Sequence, residues 1–346
     1  MSTAKGGTGI GASIPRRELR RLAAGRGRYV DDIVLPRMLH AAFVRSPLAH
    51  ARLVRLDVGG ARQAPGVVAV YTAADLNEMC EPFVGIALHR PGHRSPPQRL
   101  LVSDKAVWQG QPVVAVIART RAEAEDAADL VEMEWEDLPA IANITQALDS
   151  GRAIVHDELG DNVAFDFRLE KGEPDKAFAA ADVVVEEQFV FERQMAVTLE
   201  PRGIIGDYNP VDRTLQVHHS TQSPYQMQGV FSRHFGLPEQ NVRVMAHDVG
   251  GGFGMKLNIY PDEIATVAAS KLLGRPVKFV SDRLEAFVSD CGARDHRVKA
   301  RIALKKTGEI TAMEVDDVGA VGAFGMPLRF NVAEGMMLIT MAGAPY

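Results

Sequence analysis

The sequence predicts a mixed α+β fold in two or three domains, and three observations carry that expectation. Apolar runs of strand length alternate with segments at helical spacing. Capping signatures precede the helical segments, and a glycine-rich turn joins one strand to one helix. The chain has 346 residues, beyond the size at which a single hydrophobic core keeps growing.

Regular structure is expected from about Ile14, after a first dozen residues rich in Gly, Thr and Ser that read as a loose terminus. The runs 67–71 and 113–117 lack a polar alternating face and predict buried strands. Between them, residues 89–98 hold three prolines, two arginines and two histidines, the composition of an irregular surface loop. Thr120 and Glu123 form a capping box ahead of Ala124, Ala127, Ala128 and Val131 at helical spacing, and 132–135 turns strand-like. The polar, glycine-bearing stretch 149–161 is the candidate linker. It divides the chain into a flexible 1–18, an N-terminal domain 19–148 and a second domain 149–346.

Beyond the linker, 183–191 and 214–218 read as strands. Ser223 and Pro224 supply an N-cap and a first helical residue for a helix that ends at Gly236. A strand over 242–249, a turn over 250–254 and a helix over 261–273 closed by Gly274 follow. A strand at 277–280 and a hairpin around Lys306-Thr307-Gly308 complete the pattern, with no internal repeat.

Composition excludes several function classes. Hydrophobic residues are 46% and charged residues 24%, ordinary for a globular protein. The formal net charge of -5 offers no basic field for nucleic acid or anionic lipid. Cys80 and Cys291 are too few for a disulfide framework, a zinc site or an iron–sulfur cluster, and both read as buried thiols. The N-terminal arginines are followed by no apolar core of the kind a secretory signal needs, and no run approaches a membrane span, so a cytoplasmic location is expected.

The chemistry concentrates at residues 250–254, four glycines and Phe253. Such a backbone adopts positive φ and lets a ligand come closer than a Cβ would permit, and its N–H groups can donate to anionic or oxo groups, with the following helix N-terminus adding a favourable dipole. A tight turn that merely packs is the competing reading. Two phosphate motifs fail against it. A dinucleotide fingerprint needs glycine where Met255 stands and an acid where Leu272 and Leu273 stand; a P-loop needs Gly-Lys-Ser/Thr in succession, and here Met255 separates Gly254 from Lys256. His218 and His219 on one strand point to opposite faces and cannot chelate one metal. Asp282, Arg283 and Glu285 read as a local salt-bridged turn, and no Gly-x-Ser-x-Gly elbow is present.

The order Gly-Gly-Gly-Phe-Gly-Met-Lys at 250–256, preceded by Ser220-Thr221-Gln222-Ser223-Pro224 and Leu199-Glu200-Pro201-Arg202, resembles the cofactor-binding large subunit of the xanthine dehydrogenase, aldehyde oxidase and carbon monoxide dehydrogenase family. The stretches 27–32, 44–51 and 110–113 resemble it too, so essentially the whole chain is covered. The resemblance implies an a/b hammerhead-like domain followed by the first part of the molybdopterin-binding domain, the chain being truncated or split before the second half.

It also implies a cofactor, molybdenum held by the dithiolene of a pterin, in cytosine dinucleotide form, with no direct ligand from the protein. Gln222 would donate to the apical oxo group. Gly251, Gly252, Phe253, Gly254 and Met255 would pass beside the metal, with Phe253 either walling the substrate pocket or only packing. Lys256 would meet a cofactor phosphate or cap solvent. The implied reaction hydroxylates an aldehyde, a nitrogen heterocycle or carbon monoxide, with oxygen from water and electrons leaving to a 2Fe-2S small subunit and an FAD medium subunit.

The general-base glutamate is expected on a partner chain supplying the second half. Glu200, Glu263 and Glu285 do not match its position and read as helix or surface carboxylates, which leaves no catalytic residue in this chain. Leu257, where purine-oxidising members place an acid, weakens a purine substrate. The alternative reading is a non-catalytic fragment that binds no molybdenum.

Overall fold

The computed structural model describes residues 9–82, 84, 92–149, 151, 153–293 and 295–325. The expectations for residues 1–8, for the 89–91 part of the proline-rich loop and for the chain end lie outside the described residues. The strands before the linker are β1 (Leu39–Arg45), β2 (Ala51–Asp57), β3 (Val67–Tyr71), β4 (Lys105–Ala106), β5 (Pro112–Ala118) and β6 (Glu132–Asp137). Those after it are β7 (Val183–Phe191), β8 (Gly203–Asn209), β9 (Thr214–His219), β10 (Val242–Met245), β11 (Val277–Val280), β12 (His296–Leu304) and β13 (Ile310–Gly319). The helices are α1 (Leu19–Ala23), α2 (Gly59–Gln63), α3 (Ala73–Leu76), α4 (Arg121–Ala128), α5 (Ile144–Leu148), α6 (Pro174–Ala179), α7 (Pro224–Phe235), α8 (Pro261–Leu273) and α9 (Arg283–Ser289).

A seven-stranded mixed sheet runs β10-β9-β8-β11-β1-β5-β3, so strands from both sides of the linker share one sheet, joined where β1 pairs β11 in parallel. The apolar run of β5 is explained by two cores. Ala115 and Ile117 face the core under α7 and α8, while Val114 and Val116 face the core under the sheet β4-β2-β6. Neither side of the strand meets water, so neither needs polar residues. β3 departs from the expectation of a buried strand: it is the outer strand of the sheet, and Val68 is 40% exposed.

α4 begins at the expected capping box, with Glu123 N–H donating to Thr120 Oγ1 and Thr120 N–H to Glu123. Thr120→Ala is expected to lower stability by about 1 kcal/mol, read as a shifted denaturation midpoint. α7 and α8 end, as expected, on left-handed Gly236 and Gly274. Ser223 differs: its hydroxyl donates to Leu257 O at 3.0 Å and does not cap α7, tying that helix start to the chain after the glycine loop.

β10 stops at Met245, four residues before the expected end, because its partner β9 ends at His219 and Met245 already lies opposite His218. In the proline-rich loop, Gln98 is buried and Arg94 donates to Asp161 and Val163 O, so this stretch packs against the linker rather than lying free on the surface. Cys80 is buried, and burial pushes its thiol up to about 11, while Cys291 is only half-buried and accepts from Tyr260 Oη at 3.0 Å. Among the described residues no helix is long and apolar enough to cross a membrane.

Candidate functional site

Residues 250–254 leave β10 and form a loop held from beneath by one carboxylate. Glu200 Oε2 accepts from Gly250 N–H at 2.7 Å, from Ser220 Oγ at 2.7 Å and from Lys256 Nζ at 2.9 Å. Glu200 N–H in turn donates to Gly250 O at 3.1 Å. A Cβ on Gly250 would lie 2.4 Å from Glu200 Cβ, so only glycine lets the two backbones run this close. Glu200 is therefore the hub of the loop, a correction to its reading as a helix or surface carboxylate.

Lys256 is buried, and burial lowers its pKa against the opposing pull of Glu200. Its ammonium also donates to Glu200 O at 2.8 Å. Solvent capping is excluded by that burial, and a cofactor phosphate would have to compete with Glu200 to reach it. Met255 also turns inward, with its carbonyl accepting from Tyr260 Oη at 3.0 Å.

The outer side of the loop faces the opposite way. Gly254 N–H donates to Gln222 Oε1 at 2.9 Å. A backbone N–H requires an acceptor, so the carboxamide oxygen is turned to the loop and its NH2 group is left as an outward donor. Gln222 itself is exposed, held by its own N–H on Lys256 O at 3.0 Å. The N–H groups of Gly251, Gly252 and Phe253 have no hydrogen-bond partner among the described residues. A Cβ on Gly252 would meet Gln222 Cδ at 2.5 Å, which makes this glycine the spacer that admits the glutamine.

Phe253 stands at the tip with φ 49°, a left-handed conformation that costs a bulky residue about 1–3 kcal/mol. Its ring is 80% exposed, so it does not pack into a core. The dipole expected from the next helix is not aimed here: α8 starts only at Pro261, and its own Asp262 and Glu263 occupy that terminus.

Those two acids belong to a buried ionic cluster behind the loop. Arg202, fully buried and stacked at 3.8 Å on Tyr260, donates to both oxygens of Asp262 at 2.8 and 2.9 Å and to Asp290 at 2.6 Å. Glu263 adds an ion pair at 3.2 Å. Arg45 reaches in from β1 to Asp262 and Glu285, both at 2.7 Å, and to Gly110 O. Burial pushes the Asp262 carboxyl up, yet the two guanidiniums reverse this and leave it well below the carboxylate range. Burial raises Glu285 and Asp290 against the opposing pull of Arg45 and Arg202 respectively. Glu263 and Glu285 thus sit on helices, as expected, but face inward.

His219 lies 3.4 Å from Glu263 and His218 2.9 Å from His247, on opposite sides of β9. No described group of three or more His, Cys, Asp or Glu could hold a metal ion.

Asp248 anchors the approach to the loop. Arg21 donates to both its oxygens at 2.5 and 2.6 Å, and Arg28 N–H adds a third bond at 2.7 Å. The hydrogen bond from Arg21, then that from Arg28, holds the carboxyl well below its usual range. A depressed folded value means stabilisation that is present above the unfolded value of about 3.9 and lost as pH falls through and below it. Asp248→Asn should therefore lower the denaturation midpoint near neutrality, with the gap to wild type closing below about pH 4. A gap independent of pH would contradict this.

The hub Glu200, the clamp on Asp248 and the Arg45–Arg202–Asp262 cluster were all missed in the sequence. Glu200, Arg202 and Arg45 do stand inside the quoted resemblance segments, which is the one signal that could have flagged them.

Comparison with known proteins identifies the two domains. Residues 24–139 match the aldehyde oxidase and xanthine dehydrogenase a/b hammerhead domain, and 155–346 match the molybdopterin cofactor-binding domain. The nicotine 6-hydroxylase large subunit of Paenarthrobacter nicotinovorans is 37% identical over 94% of this chain and 40% of its own length. The carbon monoxide dehydrogenase large chain of Afipia carboxidovorans is 34% identical over 91% of this chain and 40% of its own. The crystal structure of quinoline 2-oxidoreductase from Pseudomonas putida superposes with a TM-score of 0.85 and 37% identity, over 89% of this chain and 39% of that one. The chain thus spans about two fifths of the relatives it matches. On its fold and over the greater part of its length, it belongs to the molybdopterin cofactor-binding domain family, preceded by an aldehyde oxidase and xanthine dehydrogenase a/b hammerhead domain.

Proposed function

We propose that this chain forms one wall of the cofactor site of a molybdenum hydroxylase, made of residues 250–254 and Gln222. The orientation of Gln222 carries the reading. Gly254 N–H claims its oxygen, which leaves its NH2 group, like the backbone N–H groups of Gly251, Gly252 and Phe253, without a partner among the described residues. Unpartnered neutral donors beside close-approach glycines fit a pterin-held metal that carries an oxo group. When bound, the molybdenum-pterin group, taken here in its cytosine dinucleotide form, supplies two-electron oxidation with oxygen drawn from water.

The chain's own residues bind and orient. With the cofactor bound, Gln222 would donate to an oxo group, Gly251 to Gly254 would let the ligand approach, and Phe253 would shield one side of the substrate space. Met255 and Lys256 act from beneath, through Tyr260 and Glu200. The acid–base residue that completes the reaction lies in a second-half segment, and the electrons pass to a 2Fe-2S small subunit and an FAD medium subunit, in the cytoplasm. The relatives named for nicotine and quinoline favour a nitrogen heterocycle over an aldehyde or carbon monoxide, and Leu257 disfavours a purine among such heterocycles. The division into domains 19–148 and 149–346 is retained as part of this reading. A non-catalytic fragment gives no reason for unpartnered donors beside close-approach glycines.

The test is turnover of nicotine- and quinoline-like heterocycles by the assembled complex in isotopically labelled water. Label in the hydroxylated product supports the reading. Oxygen from dioxygen, or no turnover of any heterocycle, aldehyde or carbon monoxide by a complex holding molybdenum, would overturn it.

A further inference from the structure

We propose that one face of the sheet β13-β12-β7 is the docking surface for the part of the large subunit that lies outside this chain's match to its relatives. The inference rests on the functional reading above and names where its second-half segment binds.

The register sorts the side chains of this sheet by face, because residues directly opposite in antiparallel strands project to the same side. On one face Val183 lies opposite Leu304, Val185 opposite Ile302 and Phe189 opposite Val298. β13 extends it, with Met313 opposite Ile302. On the other face Glu186 lies opposite Arg301, and Arg301 opposite Glu314 at 2.6 Å. The first face is mainly apolar, with Glu187 opposite Ala300 and the His296–Asp317 pair at its end, and the second is mainly charged.

α6 covers only the β12 and β13 part of the charged face, with Phe178 stacked 4.3 Å from Arg301 and Ala303 fully buried beside it, while Val184 and Val190 of β7 on that face are 48% and 56% exposed. The apolar face is open: Val185 and Phe189 are each 48% exposed and Met313 60%. Every residue of β7 is exposed, and among the described residues β7 pairs with β12 alone, so its other edge adjoins the apolar face without a described partner. An open apolar face beside an unpaired strand edge is what a domain shows when its second layer is missing.

The occupant follows from length. The chain spans 40% of the nicotine 6-hydroxylase large subunit, leaving about three fifths of such a subunit to supply that layer. The face lies within the region that matches the molybdopterin cofactor-binding domain, which the absent layer would close.

To test this, the full chain is produced together with the unmatched three fifths of the nicotine 6-hydroxylase large subunit. Native mass, amide exchange at β7 and molybdenum content are measured. The double substitution Phe189→Glu/Ile302→Glu places charges on the apolar face, and Lys299→Gln changes the charged one. Circular dichroism and exchange of the seven-stranded sheet confirm that each variant folds.

The expected result is an equimolar complex with slowed exchange at β7. The double variant should reduce its yield by roughly tenfold or more, and Lys299→Gln by less than about twofold. No complex, a complex indifferent to the double variant, or a dimer of this chain alone that the double variant dissolves would overturn the docking proposal. A complex with β7 protected but no molybdenum would instead sink the cofactor reading and leave the docking surface standing.

Discussion

Arg202→Met is expected to lower stability by about 3–5 kcal/mol. Arg202 is fully buried and holds Asp262, Glu263 and Asp290 at once. Methionine fills similar space but leaves Asp262, Glu263 and Asp290 without their shared guanidinium, and a carboxylate without its cation in such a place costs several kcal/mol or takes up a proton. The loss should be smaller in acid, where protonation relieves the repulsion. Equilibrium denaturation in urea across pH checks both the size and its pH dependence. A loss under about 1 kcal/mol would mean that the cluster is not the junction between β1, β8 and α8 described above.

Gly252→Ala is expected to have the opposite profile, a small change in stability and a large one in cofactor retention. The added Cβ would meet Gln222 Cδ at 2.5 Å, and a flexible side chain yields where backbone would not. The glutamine is displaced, Gly254 N–H loses its acceptor, and the outward amide loses its fixed direction. Because the site is exposed, the stability cost should stay near 1 kcal/mol. Retained molybdenum and pterin should fall roughly tenfold, the scale of one well-placed hydrogen bond lost to a ligand. Gly250→Ala is the contrast: there the neighbour is Glu200 Cβ on rigid backbone at 2.4 Å, so folding itself should suffer.

These two cases show what was legible in the sequence. Local chemistry was readable: the capping box at Thr120 and Glu123, the left-handed ends at Gly236 and Gly274, and the glycine loop itself each depend on residues a few positions apart. Partners far apart in sequence were not. Arg45 meets Asp262 and Glu285, and Arg21 meets Asp248, only because β1 lies beside β11 and the N-terminal segment folds back onto β10's exit. An isolated carboxylate is on average a surface residue, so Glu200 looked ordinary until three donors were found converging on it.

The same limit explains β3 and β10. Periodicity reports how apolar a segment is, whereas strand ends and edges depend on which neighbour continues beside them. β7 is the sharpest case: its bounds, 183–191, were read directly, yet its open faces depend on what is absent from the described residues.

The account stands most directly on whether Gln222 and the glycine loop face the cofactor. The measurement is molybdenum and pterin content of the chain purified with its partners, for wild type, Gln222→Ala and Gly252→Ala. Molybdenum stoichiometric with the chain in wild type, with marked loss in both variants and unchanged assembly mass, is the predicted result. Full cofactor in both variants, or none in an intact wild-type complex grown with ample molybdate, would contradict it.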